Sequence, residues 1–202
     1  MEYWHDLITE KSLNILQKLK GKFDFILIGG WAVYFLTKKF KSKDIDIIVD
    51  IDTLQKLKQE YNIEKNENLN KYEIKTDEID VDIYVAHYSK LIIPLEEVHA
   101  INIEGFKVIK PEELLILKQG AGEDRKYSEK GEKDRLDILS LIFFYGIDFK
   151  EYLEILKKIK RIDLFSKLIN LIKNFKEYKY FNFTPRELKL RKNKIINEMK
   201  DT

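Results

Sequence analysis

The chain has 202 residues, enough for one ordinary domain or for a compact domain with an appended helical part. With 44% hydrophobic and 36% charged residues, it can bury a core and still present a strongly solvated surface. The formal net charge of +2 gives no general affinity for polyanions. The sequence has no cysteine, which excludes disulfides, thiolate metal sites and cysteine nucleophiles.

Charge is unevenly distributed along the chain. From Lys150 onward the formal charge is +8, so the preceding part carries about −6. This asymmetry suggests an acidic catalytic part and a basic part that could meet nucleic acid, although a solvated helical surface explains it equally well. The abundance of Lys, Glu and Ile is typical of thermophile proteins, but an AT-rich genome would explain it as well.

The N-terminal residues and the lengths of the apolar runs indicate where in the cell the protein is expected. The N-terminal sequence MEYWHDLITEKSL has an acid at its second position and no apolar stretch long enough for export. No apolar run approaches the roughly 20 residues of a membrane-spanning helix. We therefore expect a cytoplasmic protein that has no membrane partner.

The first half of the chain predicts alternating helices and strands. Leucines at helical spacing are followed by Gly21, which indicates a first helix that stops there. Asp52 with Gln55 suggests a capping pair for a helix over 53–60. The remaining expected elements are a strand over 23–28, a helix over 31–39, a strand over 44–50, two strands around an Asn-rich turn within 61–76, a strand over 78–86 and a hairpin over 100–109 that turns at Glu104-Gly105.

The second half predicts only helices. Pro111 and the acids after it open a helix through about Gln119, and 120–132 has the composition of a polar loop. Helices are expected from Lys133 to the end, the last of them opened by a capping box at Thr184. We therefore predict an α+β chain with two parts, a mixed-sheet domain with flanking helices over 1–110 and an all-α bundle over 111–202.

Asp44 and Asp46 stand out because they lie in a predicted strand rich in isoleucine. Residues two apart face the same side of a strand, so both carboxylates share one face and repel each other when shielded from water. A divalent cation such as Mg²⁺ or Mn²⁺ removes that penalty. Gly29-Gly30 lies between a strand and a helix, where backbone N–H groups can approach a phosphate closely.

These residues, taken in order, resemble the signature of the nucleotidyltransferase superfamily of DNA polymerase β type. The matching segments are Ile28-Gly29-Gly30, a spacer over 31–43, and Asp44-Ile45-Asp46-Ile47. The resemblance implies that Asp44 and Asp46 are catalytic metal ligands and that a third acid lies on a neighbouring strand. We favour Asp82 as that acid because its apolar flanks are more continuous, with Asp80 as the alternative.

The second half is similar to the AbiEii/MenT-like toxin–antitoxin nucleotidyltransferases. The matching positions are Lys118, Ala121, Arg125, Lys133, Asp134 and Asp137. The resemblance implies that Lys118 and Lys133 contact the phosphates of an NTP and that Asp134 helps to organise the nucleotide site. Surface lysines and ordinary helix ion pairs are the alternative for each position taken singly.

One segment departs from the motif of the relatives. Many carry Arg-Ser or Arg-Thr shortly before the two acids, whereas this chain has Lys41-Ser42-Lys43. The resemblance implies a nucleotide contact at Ser42, while lysine keeps the charge but lacks the planar guanidinium fork.

The reaction implied by these motifs is transfer of a nucleoside monophosphate from an NTP to a hydroxyl group, with two divalent ions assisting. The acceptor is an RNA, such as a tRNA end, or a protein side chain. One alternative is a binding module of the same fold within a toxin–antitoxin pair, with a cognate toxin or antitoxin as partner and no transferase activity. A helical nucleic-acid regulator ranks last, because the sequence shows no recognition-helix motif.

The C-terminal segment over 177–194 interleaves aromatic and basic residues. Such a composition suits base stacking and phosphate contact, but the aromatic side chains could equally attach the last helix to the bundle. We favour attachment of the helix. Arg191, Lys192 and Lys194 would then be available to an acceptor such as RNA.

Overall fold

The computed structural model describes residues 6–76, 78–124 and 128–202. Within these ranges seven strands form one mixed sheet in the order β3-β4-β5-β2-β1-β7-β6. The β2/β5 and β1/β7 pairs are parallel and the other pairs are antiparallel. The strands are β1 (Ile26–Ile28), β2 (Ile45–Val49), β3 (Glu64–Asn66), β4 (Lys71–Lys75), β5 (Asp80–Val85), β6 (Ala100–Ile103) and β7 (Phe106–Ile109).

Helices precede, interrupt and follow the sheet. A π-helical turn, Leu141–Tyr145, follows α5, and a short 3-10 segment, Tyr178–Phe181, precedes α8. The α-helices are α1 (Asp6–Lys20), α2 (Gly29–Thr37), α3 (Ile51–Glu60), α4 (Pro111–Asp124), α5 (Glu129–Ser140), α6 (Phe149–Lys158), α7 (Asp163–Asn174) and α8 (Pro185–Lys200). Among the described residues, no helix is both long and apolar enough to cross a membrane.

Helix α2 is central to the architecture. It follows β1 directly and contacts strands β1, β2 and β7 as well as helices α4 and α5. A helix enclosed in this way is apolar around its whole circumference, as the sequence GGWAVYFLT shows. Trp31 is fully buried and its indole Nε1 donates a 2.8 Å hydrogen bond to Ser12 Oγ of α1. The start of α2 is therefore held firmly between the sheet and the helices.

The predicted fold class is confirmed: a mixed sheet with flanking helices is followed by helices only. One cluster of buried apolar side chains runs from Leu16 to Met199 and includes residues from both predicted parts. The division at residues 110 and 111 coincides with the end of the sheet, and as a domain boundary it stays a prediction.

Two local predictions were wrong. Asp50, not Asp52, caps α3, because the Asp50 carboxylate accepts a 2.7 Å hydrogen bond from the Thr53 amide. The expected loop over 120–132 is largely helical, since α4 continues to Asp124 and α5 begins at Glu129. Gly120 lies within α4, and because it has no side chain the helix can pack closely on Ile92, whose nearest atoms would lie 3.2 Å from an added Cβ.

Candidate active site

The turn from β1 into α2 is built around Gly29. Its φ is +67°, a conformation that side-chain-bearing residues rarely adopt. Across the antiparallel β1/β2 pair, Ile28 lies opposite Asp46. A Cβ at Gly29 would lie 2.6 Å from Asp46 Cγ and closer still to Oδ2. The absence of a side chain at Gly29 therefore allows the Asp46 carboxylate to lie directly against the backbone of the turn.

The sheet brings the favoured third acid, Asp82, next to Asp46. In the parallel β2/β5 register Asp46 is the partner of Asp82, whose side chain is 19% exposed. Asp80 is exposed and lies opposite Lys75 on the other neighbouring strand. Asp44 comes one residue before β2, and its side chain is 28% exposed.

Asp44 has an unusual environment. Its Oδ1 atom is buried and accepts no hydrogen bond from any part of the chain that the structure describes. Its Oδ2 atom lies 3.8 Å from the ammonium of Lys130, a largely exposed side chain. A buried carboxylate oxygen without a donor is costly, so a bound cation would remove an existing penalty.

Asp82 is held by a lysine that the sequence analysis did not identify. Lys71 on β4 places its Nζ 2.6 Å from Asp82 Oδ2 and 3.0 Å from Glu73 Oε1, and only 9% of its side chain is exposed. The alternation of charges in Lys71-Tyr72-Glu73 was visible in the sequence. The register that sets Glu73 opposite Asp82 was not.

The protonation of Asp82 reflects these neighbours. Burial removes water from the carboxylate and the negative charge of Asp46 opposes its ionisation, while Lys71 only partly compensates. Together these effects raise the pKa of Asp82 to about 6. Burial also works against the Lys71 ammonium, yet its hydrogen bonds to Asp82 and Glu73 raise the pKa of Lys71 above its ordinary value.

Gly30 makes room for a second part of the site. A Cβ at this position would lie 2.5 Å from Ser42 Oγ and 3.0 Å from Lys133 Nζ. Both of those side chains are buried. The predicted nucleotide contacts Gly29, Gly30, Ser42 and Lys133 therefore gather at the N-terminus of α2, where backbone N–H groups and the helix dipole favour a phosphate.

Behind this turn, α4 and α5 share a buried cluster of two lysines and two aspartates. Lys118 Nζ lies 2.7 Å from Asp137 Oδ2 and 3.1 Å from Asp134 Oδ1, and Lys133 Nζ lies 3.1 Å from Asp137 Oδ2. Burial acts against the charge on Lys118, but the two carboxylates raise its pKa. Burial and the neighbouring Lys118 charge lower the pKa of Lys133.

The other positions implied by the resemblance have different outcomes. Ala121 lies in α4 and is half-buried, whereas Arg125 lies outside the described residues. Roles for Lys118, Lys133 and Asp134 in nucleotide binding stay predictions.

Two of the three basic side chains expected to be available to an acceptor make hydrogen bonds to backbone carbonyls of preceding helical segments. Arg191 lies over the Phe183 ring, 4.7 Å from its centroid, and donates a 3.1 Å hydrogen bond to the Phe143 carbonyl. Lys192 donates hydrogen bonds to the carbonyls of Lys173 and Phe175, which end α7. Lys194 is exposed. Arg191 and Lys192 therefore help to fix α8 to the bundle, and the availability of the three basic residues to an acceptor stays a prediction.

The carboxylates of Asp44, Asp46 and Asp82 are chemically suitable ligands for a hard divalent cation. Their side chains are not arranged as a complete metal-binding site in this structure. Among residues 6–76, 78–124 and 128–202, no group of three or more acidic or histidine side chains is arranged to hold a metal ion. The oxygen donors are suitable for Mg²⁺ or Mn²⁺, and Asp44 Oδ1 is an unsatisfied buried acceptor. The ammonium of Lys71 meanwhile occupies one of the Asp82 oxygens.

Comparison with known proteins finds similarity in structure. A candidate nucleotidyltransferase from Helicobacter pylori aligns over 96% of this chain and 95% of its own, with a TM-score of 0.50 and 18% identity. JHP933 from Helicobacter pylori aligns over 96% of this chain and 93% of its own, with a TM-score of 0.51 and 17% identity. An antigenic nucleotidyltransferase-like protein from Paracoccidioides brasiliensis covers 80% of this chain and 91% of its own, with a TM-score of 0.42 and 20% identity. No family model and no curated protein matches the sequence. The chain therefore has a nucleotidyltransferase-like fold with a helical C-terminal part.

Proposed function

We propose that this protein is a nucleotidyltransferase that transfers a nucleoside monophosphate from an NTP to a hydroxyl group and releases pyrophosphate. The observation that carries the proposal is the position of the Asp46 carboxylate. It lies in register with Asp82 on one side and against the Gly29 backbone on the other. Three carboxylates and a turn suited to a phosphate thus lie at the same end of the central strands, and this arrangement supports a metal-assisted phosphoryl transfer.

The residues of the chain would divide the work as follows. Backbone amides at Gly29 and Gly30 would bind the triphosphate, with Ser42 and the Lys133 ammonium beside them. Lys118 lies between two carboxylates, so we assign it a positioning role for α5 as well as its predicted phosphate contact.

Asp44, Asp46 and Asp82 would hold Mg²⁺ or Mn²⁺. Such ions polarise a phosphoryl group and stabilise the attacking and leaving oxygens. Before any ion binds, the summed negative charge of these carboxylates would attract a cation to this end of strands β2 and β5.

The acceptor we propose is the hydroxyl group of an RNA, such as a tRNA end, or of a protein side chain. A cognate toxin or antitoxin partner is part of the same proposal. Support for these finer assignments comes from the resemblance of the Lys118 to Asp137 segment to toxin–antitoxin nucleotidyltransferases.

The test is to incubate the purified chain with α-labelled NTPs, Mg²⁺ and either total cellular RNA or protein extract, and to follow both label transfer and pyrophosphate release. Asp46→Asn should lower both by about 100-fold or more, because it removes a ligand charge needed in the transition state. Asp80→Asn is the matched control on the same sheet and should retain activity. Equal transfer by wild type and Asp46→Asn would contradict the proposal.

The second candidate is a binding module of this fold without transferase activity. The ion pair between Lys71 and Asp82 favours it, because this contact occupies one of the expected ligands. Tight NTP binding without pyrophosphate release, unchanged across the RNA and protein fractions, would support this candidate over the enzyme.

A further inference from the structure

Lys71 lies between two carboxylates on adjacent strands. Its Nζ is 2.6 Å from Asp82 and 3.0 Å from Glu73. Lys75, four residues further along β4, approaches the same Glu73 at 3.3 Å, but its side chain is 57% exposed. Both lysines therefore form a salt bridge with Glu73, and of these two it is Lys71 that also forms one with Asp82.

The strand register explains why a cation is needed here. Glu73 and Asp82 are direct partners in the antiparallel β4/β5 pair, and like charges at such positions repel. Asp46 adds a third carboxylate on the next strand. The Lys71 ammonium offsets this repulsion in the protein as it stands.

Glu73 can retain Lys71 without help from Asp82. It accepts a 2.9 Å hydrogen bond from Asn66 Nδ2, and both lysines of β4 reach it. The lysine stem is flexible, so the ammonium can leave one carboxylate while it stays bonded to the other. The ammonium has no lone pair with which to bind a metal itself, and its positive charge at Asp82 Oδ2 opposes the approach of a second cation to the same carboxylate.

We propose that Lys71 is a displaceable counter-ion that occupies the Asp82 carboxylate until a divalent cation takes its place. The inference rests on the proposed function, since it assumes that Asp82 is a metal ligand. Lys71 is a positioning residue in this scheme. It holds Asp82 in place when no divalent cation is bound, moves fully to Glu73 when one binds, and lowers the affinity of the site by competing for it.

The test is a titration of the nucleotide-free protein with Mn²⁺, in which the electron paramagnetic resonance signal of free Mn²⁺ reports binding. Lys71→Met should bind Mn²⁺ about tenfold more tightly or better, because the cation no longer competes with a charged hydrogen bond. Lys75→Met removes the same charge from the same strand. Its affinity for Mn²⁺ should stay within about twofold of the wild-type value, because Lys75 is exposed to solvent.

A double variant, Lys71→Met with Glu73→Gln, separates competition from general electrostatics and guards against misfolding. The two substitutions together leave the net charge unchanged. They also avoid a buried carboxylate at position 73 that has lost its lysine partner. Competition by Lys71 predicts that tighter binding persists, whereas a general charge effect predicts no gain. If the folded double variant binds Mn²⁺ no better than wild type, the inference is overturned.

Failure of the proposed function would look different. Asp82→Asn should weaken Mn²⁺ binding in wild type and in Lys71→Met alike. If neither protein binds Mn²⁺, or if Asp46→Asn and Asp82→Asn bind it normally, the metal site itself is refuted and the role of Lys71 falls with it. If the site binds Mn²⁺ but the lysine variants behave alike, only the role of Lys71 is refuted.

Discussion

Replacement of Gly29 by alanine isolates the contact between the turn and the carboxylates. The backbone φ of +67° costs an alanine about 1–2 kcal/mol relative to glycine. For a chain of this length that corresponds to a fall in melting temperature of about 2–8 °C. The new methyl group also meets Asp46, with Cγ at 2.6 Å and Cβ at 2.8 Å. Rotation of the carboxylate leaves Asp46 Cβ in place, so both the carboxylate and the backbone of the paired strands must shift to admit the methyl group.

Activity should therefore fall as well as stability. A displacement of about 1 Å in a reacting group can lower a rate by about 100-fold, and we expect at least that loss of nucleotidyl transfer. Gly105→Ala is the matched control. It has a similar φ of +78°, and there an added Cβ would meet the Lys20 side chain, first at its flexible Nζ end.

Gly29→Ala should melt lower than Gly105→Ala, because only at Gly29 does the added Cβ meet another Cβ that the backbone fixes, and only Gly29→Ala should lose nucleotidyl transfer and Mn²⁺ binding. Thermal unfolding followed by circular dichroism, together with the label-transfer assay, measures both quantities. A Gly29→Ala protein that is as active as Gly105→Ala would refute the reasoning that the Asp46 carboxylate must lie against the turn.

Three further predictions follow from buried charges and from a helix cap. In chelator-treated protein, the Asp82 carboxyl should titrate near pH 6, as followed by ¹³C NMR. Because that pKa is raised from 3.8, its contribution to stability is present below about pH 4 and lost as the pH rises through 6, and Asp82→Asn should remove this part of the pH dependence in urea unfolding. Lys118→Met leaves the buried carboxylates of Asp134 and Asp137 short of a cation and should lower the free energy of unfolding by about 3–5 kcal/mol; a change under 1 kcal/mol would contradict the buried cluster. Thr184→Ala removes the capping box of α8 and should cost about 1 kcal/mol in the same measurement, with an unchanged midpoint as the contrary result.

The fold class and the proximity of the candidate residues were predictable from local patterns. Gly29-Gly30 between a strand and a helix, with Asp44 and Asp46 in the next strand, specified which edge of the sheet carries the acids. Asp82 could be preferred over Asp80 on the basis of its apolar neighbours, and the parallel register sets Asp82 beside Asp46.

Contacts that depend on register or on helix packing could not be predicted in this way. Lys71 reaches Asp82 because β4 pairs with β5 in one register, and a shift by one residue would turn its side chain to the other face. The glycines of 120–122 suggested a loop, but Gly120 lies within α4 and its missing side chain makes room for Ile92, a contact between distant segments. The hydrogen bonds of Arg191 and Lys192 were not predictable either, because the carbonyl groups they bind belong to segments distant in sequence.

The most direct test of the central claim is a crystal structure of the protein with Mn²⁺ and a non-hydrolysable NTP, with Mn²⁺ located by anomalous scattering. Our account predicts an anomalous peak within about 2.3 Å of oxygens from Asp44, Asp46 and Asp82, with the triphosphate against the amides of Gly29 and Gly30. Under the same conditions, Lys71 should contact Glu73 alone. A nucleotide bound elsewhere, or no peak among these three carboxylates, would contradict the account.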